Sequence, residues 1–311
     1  MAQRWTSDDV PDLSGRTFVV TGGNSGIGYE AARVLARRGG RVVLACRDPG
    51  KAKAALDAIA SESRSAAAEA LPLDLASLAS VRAFAEAFRA RYEALDVLIN
   101  NAGVMALPRR QTADGFEMQL GTNHLGHFAL TGLLLERLLE SRAARVVNVS
   151  SGAHKPGRIA FDDLQGERHY GRWRAYAQSK LANLLFTYEL QRRLARKGAP
   201  AISVACHPGY AATNLQSVGP RMDGSRWMER IMSLGNALLS QDAAMGALPT
   251  LYAATSPDVR GADYFGPDGL GEMKGYPRKV ESSPRSHDKE VAARLWEVSE
   301  SLTGVRYEAI S

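Results

Sequence analysis

Phe18-Val19-Val20-Thr21-Gly22-Gly23-Asn24-Ser25-Gly26-Ile27-Gly28 passes from an apolar run into a glycine-rich turn, then into an amphipathic stretch reaching about Arg38. The apolar run reads as a short buried strand, and the glycines supply the backbone freedom of a tight turn. Strand, glycine turn, helix is the arrangement that points a helix N-terminus and free backbone N–H groups at a phosphate. A lone glycine-rich turn is usually ordinary loop chemistry. Here the glycines open a helix directly after the first strand, so the stretch predicts a dinucleotide site lined by Gly22, Asn24, Ser25, Gly26, Ile27 and Gly28.

Outward from this stretch the alternation repeats. Residues 41–45 read as a second strand ending in Cys46-Arg47-Asp48. Dinucleotide folds that take the unphosphorylated cofactor usually carry an acidic side chain here, bonding the ribose hydroxyls. Cys46 stands at that place instead, and Arg47 beside it suits a 2′-phosphate through a charge-assisted contact. NADP(H) is therefore favoured. Asp48, and the reading of Arg47 as a solvated turn residue before Pro49, leave NAD(H) open.

An alanine-rich helix over about 50–61 leads to a strand ending in Leu73-Asp74-Leu75, and another helix starts near Ser77. Asp74 either meets an adenine at the ligand edge of a parallel sheet or caps the following turn. Asp96-Val97-Leu98-Ile99-Asn100-Asn101-Ala102-Gly103 brings a further strand to the same edge, where asparagines serve turns and ligands alike. Residues 115–140 read as one long helix. Asn123, His124, Gly126 and His127 are poor helix formers, so something other than propensity holds them there. The i,i+3 histidines have no evident carboxylate or cysteine partner; they read as packed or hydrogen-bonded, and no metal is expected. Residues 144–149 form a strand delivering Ser150-Ser151, and residues 202–206 another, ending in His207-Pro208-Gly209 with Thr213 beyond.

Tyr176-Ala177-Gln178-Ser179-Lys180 lies between those last two strands and puts a phenol and an amine one turn apart on one helix face. A neighbouring ammonium favours the phenolate, which would bring a tyrosine down from its usual pKa near ~10 toward proton-transfer use. In isolation such a pair is ordinarily an exposed helix face. What raises it is that the other candidates all fall at strand carboxyl ends or at the helix starts that follow. The pattern predicts an α/β, single-domain Rossmann fold, a doubly wound parallel sheet with helices on both faces, over residues 15–311 after an N-terminal arm of 1–14.

Composition narrows the class. The 311 residues suffice for one large domain, and the net charge of +6 comes from arginines spread along helices rather than from a basic run. A nucleic-acid surface is not expected. The two cysteines, Cys46 and Cys206, end strand-like runs and read as buried reduced thiols. The polar start of the chain and the lack of an apolar stretch of ~18 residues argue against a signal peptide or membrane anchor, so a cytoplasmic protein is expected.

In chain order, Thr21-Gly22-x-x-x-Gly26-x-Gly28, Asp74-Leu75, Asn100-Asn101-Ala102-Gly103, Asn123, Ser151, Tyr176-x-x-x-Lys180 and Pro208-Gly209-x-x-x-Thr213 resemble the short-chain dehydrogenase/reductase family. Asn101-Ala-Gly-Val-Met105, Asp114-Gly-Phe-Glu-Met118, Thr122-Asn-His-Leu-Gly-His127 and Val147-Asn-Val-Ser-Ser151 are similar to its retinol dehydrogenase branch, whose near relatives are the protochlorophyllide and WW-domain oxidoreductases. The resemblance implies hydride transfer between a nicotinamide and a carbonyl or alcohol carbon. It assigns Tyr176 as general acid in reduction, Lys180 as the group lowering its pKa and holding the nicotinamide ribose, and Ser151 as donor to the carbonyl oxygen. It makes Asn123 the holder of a relay water. Asp74, Leu75 and Asn101 would lie near the adenine side, with Ala102, Gly103, Pro208, Gly209 and Thr213 also on the cofactor, Thr213 near the carboxamide.

Two departures from the family bear on substrate. Ser151 and Tyr176 are 25 positions apart, where the minimal family pattern has roughly half that. The extra residues, around 157–174, bring Phe161, Tyr170 and Trp173 to a cleft edge or an oligomer surface. The membrane anchor common among retinol dehydrogenases is not evident. Residues 214–240, with Trp227, Met228, Ile231, Met232, Leu234, Leu238 and Leu239, read as a mobile apolar lid. The expected partner is an apolar carbonyl or alcohol, and a homo-oligomer is compatible with the sequence. Two other readings stand beside this one: reduction of a carbon–carbon double bond, and a non-catalytic NADP-sensing protein.

Overall fold

Strands with both faces covered read as near-continuous apolar runs, and the inner strands are largely built that way. The computed structural model describes residues 4–62, 66–210 and 241–311. Among these, β1 (Thr17–Thr21), β2 (Arg41–Cys46), β3 (Ala68–Pro72), β4 (Val97–Asn100), β5 (Arg145–Val149), β6 (Ile202–Cys206), β7 (Tyr264–Pro267) and β8 (Pro277–Lys279) form one sheet. Its order is β3-β2-β1-β4-β5-β6-β7-β8. All neighbours are parallel except the last pair, where Phe265 faces Lys279 in an antiparallel ladder. The fold is the expected single-domain α/β Rossmann sheet. The antiparallel edge strand was not legible, because a three-residue polar strand carries no periodic signal.

The chain runs outward through β1, β2 and β3, then crosses back to lay β4 against the other side of β1. This reversal leaves a crevice at the carboxyl ends of β1 and β4, the place where open α/β sheets bind ligands.

Two apolar layers fix the helices. On one face, α1 (Gly26–Arg37), α2 (Pro49–Glu62) and α8 (Ala243–Thr255) bury Ala31, Leu35, Ala55, Ile59, Leu248 and Leu251 against Phe18, Val20 and Leu44. Val10 and Leu13 of the N-terminal stretch join the same cluster. On the other, α3 (Leu78–Arg89), α7 (Arg172–Arg196) and α9 (Lys289–Thr303) contribute Phe84, Phe88, Phe186, Leu190 and Trp296 around Val19 and Leu98. α9 starts at its Asp288 cap, whose carboxylate accepts the Glu290 and Val291 N–H groups.

The helix expected over 115–140 is not uniform. A single turn, α4 (Met118–Leu120), passes into a π-helical turn at Gly121–Leu125, then into α5 (Gly126–Leu133) and α6 (Leu135–Leu139). Asn123 and His124 sit in this widened turn, of a kind that recurs at functional sites in helices, and Gly126 and His127 open α5 directly after it. Packing pins it: a side chain on Gly126 would stand 2.5 Å from the Leu75 carbonyl oxygen.

Candidate active site

The glycine turn stands at the carboxyl end of β1, as read. Gly22 takes a left-handed φ of 66°, and its N–H donates to the Ala45 carbonyl at 2.8 Å. α1 opens at Ser25, an extended N-cap with no side-chain cap bond. Asn24 and Ile27 flank it in the same turn. Gly28 sits so close under the turn that a Cβ there would lie 2.4 Å from both the Gly22 carbonyl oxygen and Asn101 Nδ2. A turn without side chains on a helix N-terminus is a cradle shaped for a pyrophosphate.

The Asn101 side chain donates to the Thr21 carbonyl at 2.8 Å, so it braces β4 against β1. Ala102 and Gly103 continue along the crevice, and Ala102 Cβ lies against Gly22. Asp74 makes a turn, its Oδ1 accepting the Ala76 N–H at 3.0 Å, while its Oδ2 pairs loosely with Arg47 at 3.8 Å. Leu75 is buried beneath Gly126. Arg47 is 76% exposed at its side chain, free to reach a phosphate at the end of β2. Cys46, at the place where an acid would hold a ribose, is a neutral thiol; burial pushes its pKa up to about 11.

Ser151, Tyr176 and Lys180 converge at the carboxyl end of β5. The Ser151 hydroxyl lies close enough to the Tyr176 phenol to favour its ionised form. Ser150, by contrast, is spent on the Lys180 carbonyl at 2.9 Å. Tyr176 and Lys180 are both buried in the N-terminal part of α7. The Lys180 ammonium lies 5.7 Å from the Tyr176 ring and donates to the Val149 carbonyl at 3.1 Å.

Here the structure departs from the sequence-based expectation for the phenol. Burial drives the Tyr176 pKa up to about 12, against the smaller lowering effect of Ser151. Burial likewise brings Lys180 down to about 8. Both groups are dry, so each favours its uncharged form, and the ammonium is engaged with a carbonyl rather than with the phenol.

Asn123 sits in the π turn. Its Oδ1 accepts the Val104 N–H at 2.8 Å, and its Nδ2 donates to Ser179 Oγ and the Val104 carbonyl, each at 2.9 Å. A Cβ on Gly103 would come 3.0 Å from Asn123 Oδ1 and 3.6 Å from Lys180 Nζ, so these three residues meet at one point.

Across the crevice, Pro208 and Gly209 follow β6. Gly209 takes φ 66°, and a Cβ there would stand 2.4 Å from the Met273 carbonyl oxygen. Thr213 and the expected lid over 214–240 lie outside the described residues. Of the inserted residues, Trp173 reaches the site: it is 54% exposed, and its ring meets the Tyr176 ring edge-on at 6.2 Å. An open cavity of about 570 Å³ adjoins it, with Pro108, Arg109 and Tyr170 among its walls. Phe161 instead packs beside Arg294, away from this cavity.

Sequence reasoning passed over Thr21 as a site residue. Its hydroxyl accepts the N–H groups of Asn101 and Ala102, each at 2.9 Å. Its position as the last residue of a strand entering the turn was the available signal. Among the described residues no group of three His, Cys, Asp or Glu could hold a metal ion, and no helix is long and apolar enough to cross a membrane.

Comparison with known proteins fits this geometry. The short chain dehydrogenase family matches residues 16–222. Retinol dehydrogenase 12 of Homo sapiens is 44% identical over 300 residues, covering 95% of this chain and 89% of that protein. Retinol dehydrogenase 13 of Homo sapiens is 44% identical over 303 residues, covering 96% and 87%. The crystal structure of an uncharacterized protein from Mycobacterium Paratuberculosis superposes with TM-score 0.81 at 46% identity, covering 98% of this chain and 99% of that one. A structure described as an NAD(P) dependent gluconate 5-dehydrogenase from Beutenbergia cavernae, with bound NADP, gives TM-score 0.60 at 27% identity, covering 78% and 91%.

Proposed function

The chain belongs to the short chain dehydrogenase family and is an oxidoreductase, and from that premise we propose that it transfers a hydride between NADP(H) and the carbonyl or alcohol carbon of an apolar small molecule. The observation that carries this reading is the meeting of Ser151, Tyr176 and Lys180 at the carboxyl edge of the sheet, beside the glycine cradle. The cradle at Gly22 and Gly28 has room for a pyrophosphate only because side chains are missing there. Cys46 offers the ribose no carboxylate, and exposed Arg47 offers a 2′-phosphate a guanidinium. These residues fit NADP better than NAD. The NADP bound in the Beutenbergia cavernae structure supports the same choice.

When bound, the nicotinamide supplies the hydride for reduction or accepts it in oxidation. The protein's part is proton transfer and charge placement. Tyr176 gives its proton to the carbonyl oxygen as the alcohol forms. Ser151 donates a hydrogen bond to that oxygen while negative charge develops on it. Lys180, when charged, stabilises the phenolate left behind, and Asn123 holds the wall next to Lys180. Trp173 extends the apolar surface beside Tyr176, which supports a lipophilic substrate.

Purified protein assayed for cofactor oxidation, NADPH against NADH, over aldehydes, ketones, quinones and retinal tests the proposal. NADPH-dependent turnover of an apolar carbonyl is expected. Turnover confined to activated alkenes would replace the reading with double-bond reduction. Tight NADPH binding with no turnover on either class would replace it with a binding protein.

Arg47→Asp should weaken NADPH binding by about 10–100-fold, the scale of a lost charge-assisted contact, and raise relative use of NADH. The new carboxylate would also face Asp74, which pairs with Arg47 at 3.8 Å. Parallel titrations of the two cofactors check it, and an unchanged preference would move the 2′-phosphate contact elsewhere.

The pH dependence follows from the two buried groups. Tyr176, at about 12, keeps its proton through the working range, whereas Lys180, at about 8, loses its charge within it. For carbonyl reduction, kcat/KM should be flat below about pH 8 and fall above it, as the cation that stabilises the phenolate is lost. In Lys180→Arg the guanidinium stays charged, so the residual rate should lose that limb. A limb in the same place in both proteins would assign it to another group.

A further inference from the structure

His127 is 2% exposed, at the start of α5, and both of its ring nitrogens are engaged. Nδ1 lies 3.0 Å from the backbone carbonyl oxygen of Asn123, and Nε2 lies 2.9 Å from Thr21 Oγ1. A carbonyl can only accept, so Nδ1 carries the hydrogen. Burial lowers the pKa of the ring to about 4, which leaves one ring proton at neutral pH. Nε2 is therefore bare and accepts, and the Thr21 hydroxyl must donate to it. The same hydroxyl hydrogen could turn to the Ile99 carbonyl only at 3.3 Å. Thr21 Oγ1 in turn accepts the N–H groups of Asn101 and Ala102, each at 2.9 Å.

Every hydrogen in this chain then points the same way. The Asn101 and Ala102 amides donate to Thr21, Thr21 donates to His127, and His127 donates to Asn123. One imidazole thus joins two assemblies that belong to different elements. Thr21 is the last residue of β1 and leads into the glycine cradle, while Asn123 is the π-turn residue that meets Gly103 and Lys180. His124, one turn away, has no such position: its Nε2 contacts Ser299 in the helix layer behind the site.

We propose that His127 is a positioning residue that holds the cofactor cradle and the Asn123–Lys180 cluster in one register, through a single neutral tautomer that accepts from Thr21 and donates to Asn123. The idea rests on the function proposed above, since it gives the two assemblies their roles. It assigns different work to the two nitrogens, and this makes it separable from packing. Nε2 acts on the cradle through Thr21, and hence on cofactor affinity. Nδ1 acts on the π-turn carbonyl, and hence on the rate of the chemical step.

Two amide replacements divide these contacts. In His127→Asn the short carboxamide can donate to the carbonyl four residues back, but it cannot reach Thr21. In His127→Gln the longer carboxamide can place its oxygen near the old Nε2 position to accept from Thr21, and gives up the donation to Asn123. NADPH dissociation constants are read by fluorescence titration of each purified protein, and hydride transfer by single turnover at saturating cofactor. The Asn variant should show its loss chiefly as weaker NADPH binding, about tenfold, the scale of one buried hydrogen bond. The Gln variant should show its loss chiefly as slower single turnover, again about tenfold. Thr21→Val should reproduce the Asn pattern, because it removes the same link from the other side.

Asn and Gln variants that lose affinity and rate in equal proportion would reduce His127 to a packing residue, as would variants differing from the parent by less than twofold in both. Should the unmodified protein turn over no substrate, the proposed function fails by itself. The binding arm still decides the proposal for His127: an NADPH dissociation constant unmoved by both His127→Asn and Thr21→Val would overturn it.

Discussion

Tyr176→Phe lowers single-turnover carbonyl reduction by about a thousandfold or more while NADPH affinity stays within a few-fold of the parent. The size follows from what is removed. A positioned general acid contributes about 10²–10⁴-fold, and the Tyr176 phenol stands beside the Ser151 hydroxyl. The asymmetry between rate and affinity follows from place. The phenol is buried near the start of α7, under the carboxyl end of β5, while the glycine cradle lies at the start of α1. Phe fills the same volume, so the Trp173 edge contact and the helix packing persist. Stopped-flow decay of NADPH absorbance measures the rate, and fluorescence titration measures the affinity. Undiminished turnover would remove Tyr176 from the mechanism. An equal collapse of binding would mean that the residue mainly holds the cofactor.

Gly28→Ala should abolish measurable NADPH binding and lower the melting temperature. The added Cβ would need to occupy a point 2.4 Å from the Gly22 carbonyl oxygen and 2.4 Å from Asn101 Nδ2. One of these neighbours is backbone, held by the Gly22 N–H bond to Ala45 at 2.8 Å. The other donates to the Thr21 carbonyl. Relief therefore requires α1 to move off β1 or the β4 end to move off the turn, and either opens the cradle. Gly50→Ala is the control: there a Cβ would meet only an Asp48 carboxylate oxygen at 3.4 Å, and little change is expected. Calorimetric titration with NADPH and a thermal melt on both variants check the pair. Parent-like binding by Gly28→Ala would place the pyrophosphate elsewhere.

Much of the fold was legible because its signals are local. The run Phe18-Val19-Val20 and its counterparts at 97–99, 146–147 and 204–206 are buried strands of a parallel sheet. The first is followed by a glycine turn and then a helix start, and the alternation of such runs with helical stretches is what predicted the doubly wound order. The edge strand Pro277–Lys279 has no apolar face, and its pairing with β7 depends on a long-range approach of chain segments. No local pattern could announce it.

The candidate site divides in the same way. Spacing along a helix put Tyr176 and Lys180 on one face, and strand ends placed Ser151, Asn101 and the glycines at one edge. Spacing could not say how far the lysine stands from the phenol, nor which carbonyl it serves. Those depend on Val149, which comes from β5, and on the burial of both groups when the helix layer closes over the sheet. Low-dielectric burial then reverses the charge argument that the sequence alone suggests, since desolvation outweighs a cation 5.7 Å away.

By itself, then, the amino-acid sequence determined the class of the fold, the edge of the sheet that carries the site, and the residue types that meet there, because periodicity, glycine placement and helix spacing are properties of neighbours in the chain. Only the tertiary structure decided which hydrogen bonds those residues make. It set the protonation of Tyr176 and Lys180, the bracing of the cradle by Asn101, and the link from Thr21 through His127 to Asn123. Those contacts join residues far apart in the chain, and they form where packing excludes water and the buried polar groups must satisfy one another.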